Sequence, residues 1–393
     1  MDQNQFTENA PGELVTTTVD GYELSSFIPD DLDAIDLDQG DFTKEIGQAM
    51  RMLGALEYLG PKAGSSTMLI EAFARKEAVQ SSRIEGTQVT LSDVYRYEAQ
   101  QAVGEASSDN EGARQAKNYL TALQTGLNAI DQDEQITTDT LCEMHSILLD
   151  GVRSEDPSPG EIRDIQNYLA PFEAADISQA TFVPAPPKQA REKLDELLEY
   201  TNVPQPIHAL IKLGLIHYQF ETIHPFRDGN GRLGRLLVSL GLQREELLTE
   251  PYLYLSAYFN EYRDDYTNLL THVRTHGAWD NWLHFFLRGI WQQAKEAVER
   301  GEQLLELRRT YVTEYQTHRS EYILPLTQQL FKNPYITAKQ AEQQFGFSHT
   351  TAYSLIETLE EDGVLTAVES DGSSQLYQAT DIYERLDKPL SES

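Results

Sequence analysis

From Phe42 onward, apolar residues recur at helical spacing: Ile46, Met50, Leu53 and Leu56 stand four, three and three positions apart, the rhythm of one buried helix face. A second helical stretch, MLIEAFARKEAVQSSRIEGT, ends at Gly86, a residue suited to a helix C-terminus. The rhythm resumes through ARQAKNYLTALQTGL and TTDTLCEMHSILLDGV, where a threonine ahead of Leu141 can cap. It returns in QAREKLDELLEYT, PIHALIKLGLIHYQFETI and GRLGRLLVSLGLQREEL, then runs on from Trp279 to Tyr311. Between these helices, residues 153–187 break the pattern. A Pro/Gly turn leads into DPSPGEIRDIQNYL, and TFVPAPPKQA is Pro-rich and extended; two short strands forming a hairpin are expected there.

Both ends differ from this helical middle. Residues 1–40 are acidic and carry few apolar anchors outside YELSSFIP, which suggests a docking arm or short subdomain. The last stretch, ITAKQAEQQFGFSHTTAYSLIETLEEDGVLTAVESDGSSQLYQA, reads as helix, Gly-containing turn, helix and two strands about an Asp-Gly turn. That is the layout of a winged helix. The expected fold is mainly α, with a small β-hairpin and a winged-helix tail, divided at 1–95, 96–300 and 305–393.

Hydrophobic residues make up 40% of the 393, ordinary for globular packing. The chain holds no apolar run near the ~20 residues that span a bilayer. Its start lacks the basic and apolar pattern of a signal peptide, so a cytoplasmic protein is expected. The single cysteine, Cys142, excludes a disulfide framework. Charge changes the picture more: 63 acidic residues against 31 basic give a net −32. Such an excess repels itself in dilute salt and is tolerated where salt screens it, as in a salt-loving host. It disfavours nucleic-acid and anionic-membrane partners.

Candidate chemistry concentrates in residues 224–235, HPFRDGNGRLGR. Gly229 and Gly231 permit positive φ and close backbone approach, and the N-terminus of the following helix offers N–H groups to a phosphate. Arg232 and Arg235 are three apart on that helix and project toward one anion. Asp228 is a hard oxygen ligand suited to Mg²⁺. His224 is the group here that accepts a proton near neutral pH. Together these supply a base, a metal ligand, an anion cradle and two charge clamps for phosphoryl-group transfer.

At these residues the chain resembles the Fic family, whose signature HPFx[D/E]GNGRxxR is matched at every defined position by His224, Pro225, Phe226, Asp228, Gly229, Asn230, Gly231, Arg232 and Arg235. The resemblance implies that His224 deprotonates a target hydroxyl, which attacks the α-phosphate of ATP. It also implies Mg²⁺ on Asp228, an anion hole from Gly229 to Gly231, Asn230 on the α-phosphate, and Arg232 and Arg235 on the distal phosphates. Gly234 joins the nucleotide-binding set, and Phe226 is buried to hold the loop. PGEIRDIQNYL is similar to the segment preceding the family's flap, and Thr181–Pro187 occupies the flap's place, an edge able to hold a target by strand addition. Tyr266 falls where the family closes its nucleotide pocket near the adenine, and equally where a tyrosine would pack in a helix core. The implied partner is a protein with a Ser, Thr or Tyr hydroxyl, the chain itself included.

SSRIEG carries Ser81, Glu85 and Gly86 in the pattern [S/T]xxxE[G/N]. In the family this motif marks an inhibitory helix whose glutamate pairs with the second loop arginine, here Glu85 with Arg235. The same glutamate supports AMP removal in some relatives, so a de-AMPylase or another nucleotide transferase stands as the alternative. His145, His208 and His217 read as packing, and Trp279, Trp282 and Phe285–Phe286 as core. The tail supports a rival, a winged-helix regulator with an idle core. Its helix at 348–360 has no Lys or Arg, and residues 331–393 hold four basic against eleven acidic residues, which favours protein interaction or dimerisation over DNA.

Overall fold

The computed structural model describes residues 3–19, 21–62, 66–106, 110–131, 135–152, 158–170, 179–370 and 372–388. The chain opens with an antiparallel hairpin, β1 (Gly12–Val19) and β2 (Tyr22–Pro29), in register from Gly12↔Pro29 to Val19↔Tyr22. Helices follow: α1 (Thr43–Lys62), α2 (Ser66–Ile84), α3 (Leu91–Gln101), α4 (Glu111–Asp131), α5 (Thr138–Leu148), α6 (Pro187–Asn202), α7 (Ala209–Ile223), α8 (Asn230–Arg244), α9 (Ser256–Glu261), α10 (Arg263–His276), α11 (Trp279–Tyr315) and α12 (Ile323–Leu330). The chain continues as β3 (Tyr335–Thr337), α13 (Ala338–Phe345), α14 (His349–Glu361), β4 (Thr366–Val368), β5 (Leu376–Gln378) and α15 (Thr380–Asp387). The protein is mainly α-helical with small antiparallel sheets, as the periodicity indicates.

The residues form two compact units. One comprises Met1–Arg51, Asn118–Thr249 and Leu255–Gln292; the other, Met52–Lys117, Glu250–Tyr254 and Gln293–Ser393. In the first, α7 is buried on nearly every side, only Ala209 and Glu221 among its residues being less than buried, and packs against α6 and α8. A helix apolar all round belongs at a core centre. Close approach of α7 and α8 depends on Gly241, where a Cβ would sit 2.2 Å from Leu213 Cδ2. Trp282 Nε1 donates to the Gly214 carbonyl at 2.9 Å, satisfying its one donor inside this core.

Of the two-strand hairpin expected within 153–187, the described residues show isolated bridges rather than named strands. Residues 153–157 and 171–178 lie outside the described set. Among the described residues, Leu169 bridges Phe182 in antiparallel fashion, and Phe27 of β2 bridges Pro184 in parallel. The sheet of this unit is the N-terminal hairpin, so the arm at 1–40 is a docked β-element. Prolines 184, 186 and 187 explain the difference: without N–H groups they cannot extend a ladder.

In the second unit the sheet order is β3-β5-β4, both pairings antiparallel. Thr337 and Ser348 cap α13 and α14, and Gly346 ends α13 at φ +71. This sheet belongs with the α2–α3 region: Asn333 Nδ2 donates to the Tyr95 carbonyl at 3.0 Å, and Ser92 Oγ and Tyr335 Oη are 2.8 Å apart. Glu105 accepts from Ser373 Oγ, Ser374 Oγ and Ser374 N. The hydroxyls of Ser374 and Ser373 hold its carboxyl down at about 2. By contacts, 52–117 groups with 293–393. Residue order alone does not show that 52–117 shares a core with 293–393.

Candidate active site

Residues 224–235 connect the C-terminus of α7 to the N-terminus of α8, and both helices are fixed by burial. His224 is the C-cap of α7 in the left-handed region, φ 50 and ψ 61. For a residue with a Cβ this conformation costs roughly 1–2 kcal/mol, so the surroundings must hold it. They do so through carbonyls: Arg163 Nε donates to His224 O at 2.8 Å, and Arg163 N donates to Pro225 O at 3.0 Å. His224 Nδ1 lies 3.3 Å from the Glu221 carbonyl, an acceptor only. That contact selects the tautomer with hydrogen on Nδ1 and leaves Nε2 as the basic nitrogen.

Phe226 is fully buried, and its backbone is closed by Asn230, whose Oδ1 accepts from Phe226 N at 2.9 Å while Nδ2 donates to Phe226 O at 2.9 Å. Asn167 Nδ2 donates to the same carbonyl at 2.7 Å. The Asn230 amide is therefore a staple of the loop. Gly229 is the N-cap of α8 at φ +74 and, having no side chain, adds no cap of its own, a helix start of the kind that suits an anion.

Arg232 is 6% exposed; its Nη2 lies 3.4 Å from Asp228 Oδ1, and its Nε is buried without a hydrogen-bond partner. A buried guanidinium with an unused donor fits an anion arriving beside it. Arg235, 3% exposed, is on the same helix. Asp228 Oδ1 also accepts from Gly229 N at 2.5 Å. Among the described residues no three His, Cys, Asp or Glu side chains converge as a metal cage. One carboxylate fits Mg²⁺ delivered with a nucleotide, whose phosphates and waters complete the shell.

Five more of the expected residues are placed as follows. Gly234 is buried between the helices, where a Cβ would lie 2.5 Å from Glu221 Oε1 and 3.2 Å from Phe220 Cδ1. It serves α7–α8 packing rather than the phosphate cradle. Tyr266 is 4% exposed, stacks on Phe259 at 4.5 Å and shares a 2.8 Å hydrogen bond with His217 Nε2. Its ring packs among the buried aromatic side chains of this unit. Ser81 is fully buried near the end of α2; Glu85 is exposed in the turn after it, and Gly86 takes φ +91. Ser81 and Glu85 are thus not on one continuous helix: α2 stops at Ile84, because Gly86 N turns back to Arg83 O.

The structure also brings in residues that carry no motif. His145 is fully buried, stacks on Phe226 at 4.0 Å, accepts from Gly160 N through Nδ1 at 2.8 Å, and lies 2.9 Å from the Asp228 carbonyl through Nε2. With Nδ1 accepting, Nε2 carries the hydrogen and donates. His145 is packing, as expected, and it also fixes the backbone of Asp228. Arg274 lies over the Phe182 ring at 3.4 Å, and burial pushes its guanidinium down to about 10. It seats the 182–185 segment from beneath.

The family model described as Fic/DOC family matches residues 135–242, and that described as Fic/DOC family N-terminal matches 43–128. The chain belongs to the Fic/DOC family. Two solved structures share the Fic fold. One is a Fic family protein from Desulfovibrio desulfuricans G20, with a TM-score of 0.56 and 19% identity over 88% of this chain and 97% of that one. The other is a Fic domain containing signaling protein from Bacteroides thetaiotaomicron, with a TM-score of 0.52 and 18% identity over 66% of this chain and 97% of that one. Among curated proteins, the chain is 31% identical over 128 residues to protein adenylyltransferase fic-1 of Caenorhabditis elegans, covering 32% of this chain and 22% of that protein. It is 29% identical over 171 residues to protein adenylyltransferase Fic of Nematostella vectensis, covering 42% and 36%. It is 30% identical over 141 residues to uridine 5'-monophosphate transferase of Xanthomonas campestris, covering 34% and 26%. The chain thus spans well under half the length of these relatives.

Proposed function

We propose that this Fic protein is a protein adenylyltransferase, moving AMP from ATP to a side-chain hydroxyl. The observation that carries the reading is the pairing of two fixed features. His224 is held with Nε2 as its basic nitrogen, and the next helix begins with N–H groups that no N-cap side chain covers. The hydroxyl oxygen attacks the α-phosphorus, the bond to pyrophosphate breaks, and the hydroxyl proton passes to His224 Nε2. Developing charge on the α-phosphate meets the backbone N–H groups of Asn230 and Gly231, with Arg232 and Arg235 on the distal phosphates. Asp228 would hold Mg²⁺, which neutralises phosphate charge when bound.

Glu85 is proposed to restrain the reaction by pairing with Arg235, because Glu85 lies in the family's inhibitory motif and a carboxylate there would stand where a distal phosphate must lie, misaligning the nucleotide. The tail β3–α13–α14–β4–β5 is read as a winged helix used for protein contact. In support, α14 exposes Tyr353, Glu357 and Glu360, a surface ill suited to phosphate. The relative named as a uridine 5'-monophosphate transferase supports a second reading, in which the same loop carries UMP.

Labelling from α- and γ-labelled ATP and α-labelled UTP separates these readings. Glu85→Gly is expected to raise self-labelling from α-labelled ATP, with no label from the γ position, and His224→Ala to abolish it. Label from the γ position would identify a kinase, preference for UTP the second reading, and activity surviving His224→Ala would remove the base.

A further inference from the structure

Arg163 makes a set of contacts that none of the proposed chemical roles uses. It is 3% exposed, and the hydrogen bonds of its guanidinium all go to backbone carbonyls. Nε reaches His224 O at 2.8 Å; Nη2 reaches Ala185 O at 2.5 Å and Ile223 O at 3.3 Å; Nη1 reaches Ile165 O at 3.2 Å. Burial alone pushes its pKa down, to about 10, which leaves it charged at neutral pH. A charged group whose desolvation is offset by carbonyls rather than by a carboxylate is retained for what its donors hold.

Those donors join two parts of the site. Ile223 and His224 end the helix that carries the base. Ala185 belongs to the segment 182–185, braced from both sides: the Phe182 and Val183 carbonyls accept from Leu169 N and Phe27 N, and the Pro184 carbonyl accepts from Gln166 Nε2. We infer that Arg163 is a positioning residue for His224: it fixes the left-handed cap and ties the residue to the braced 182–185 segment, which holds Nε2 in place. The planar fork spreads its donors over three nitrogens and so reaches carbonyls on both sides at once. A lysine, with a single nitrogen, keeps the charge and loses the span. The role in turnover rests on the transferase reading; the role in fixing the His224 ring does not.

The test compares wild type, Arg163→Lys and Arg163→Ala by three readouts. These are turnover with α-labelled ATP in the Glu85→Gly background, Mg²⁺-ATP affinity by calorimetry, and the tautomer of the His224 ring by ¹⁵N NMR, assigned with His224→Ala. Misplacing a reacting group by about 1 Å costs on the order of 10²-fold in rate. We therefore expect both variants to lose turnover on the order of 10²-fold, with ATP affinity unchanged within about twofold. The Nδ1–H tautomer of wild type should give way to an averaged ring, and added guanidinium should restore turnover and ring signal in Arg163→Ala. Unchanged turnover, a loss of ATP affinity that accounts for the whole effect, or an unaltered ring tautomer would overturn the inference. So would failure of both variants to fold, which would make Arg163 a folding residue only. A wild type without transferase activity but with a ring that averages in the variants would overturn the transferase reading and leave the positioning role standing.

Discussion

His217 shows how much a single buried imidazole can determine. Its Nδ1 faces the Gly234 carbonyl at 3.1 Å, an acceptor, so the hydrogen sits there and Nε2 accepts from Tyr266. Neither hydrogen-bond partner is a carboxylate, and burial pushes its pKa down to about 3. The unfolded chain binds this proton near 6.5, so between pH 6.5 and 3 the unfolded state holds more protons than the native one. Stability is then full above 6.5 and declines as the pH falls toward 3, by about 1.4 kcal/mol for each pH unit crossed. Tyr266→Phe removes the donor to Nε2 and leaves a buried acceptor unmet, at a cost of about 1–3 kcal/mol. We expect a lower melting temperature, with Mg²⁺-ATP affinity by calorimetry unchanged. A tyrosine whose hydroxyl met the nucleotide would give the reverse, weaker binding at little cost in stability.

At the scale of elements, the loop and its two helices are legible in the sequence because their signals are contiguous. Periodicity sets α7 and α8, glycines mark the break, and the loop chemistry sits between them. His145, Arg163 and Asn167 are not legible in that way, because their partners are backbone carbonyls and amides, which leave no mark in a side-chain pattern. Strand β1 is masked by its surroundings: GELVTTTV is β-branched and alternates, but it lies in an arm whose acidic residues dominate the pattern. Motif position points Tyr266 and Gly234 toward the nucleotide, while burial decides their place. The turn at Gly160 is where these unseen contacts can be probed. Its φ is +91, and a Cβ there would lie 3.0 Å from Cys142 O and 3.1 Å from Ser146 Cβ, both on α5. Its N–H also anchors His145 on the same helix. Gly160→Ala should cost roughly 1–3 kcal/mol through strain and crowding and, by tilting His145, loosen the Asp228 backbone. A melting temperature equal to wild type would show that the turn adapts and that His145 does not depend on it.

At the scale of the whole chain, a net charge of −32 acts on every element at once. The ion pairs between exposed groups, such as Lys188–Glu192 and Arg309–Glu306, are worth at most about 1 kcal/mol each and weaken with salt. Buried pairs such as Lys212–Glu245 at 2.6 Å are screened far less. Salt therefore removes little attraction and much repulsion, because acidic residues outnumber basic ones 63 to 31 and most carboxylates have no cation to lose. As the Debye length shrinks from about 10 Å at 0.1 M to about 3 Å at 1 M, the self-repulsion of the compact state should fall faster than its pairing. Thermal melts from low to molar KCl are expected to rise steadily, and equal concentrations of NaCl to act alike if screening is the cause. A melting temperature that falls with KCl would mean that the ion pairs outweigh the excess charge, and the expectation of a salt-loving host would have to be abandoned. A rise confined to one cation would point instead to specific cation binding by the acidic surface.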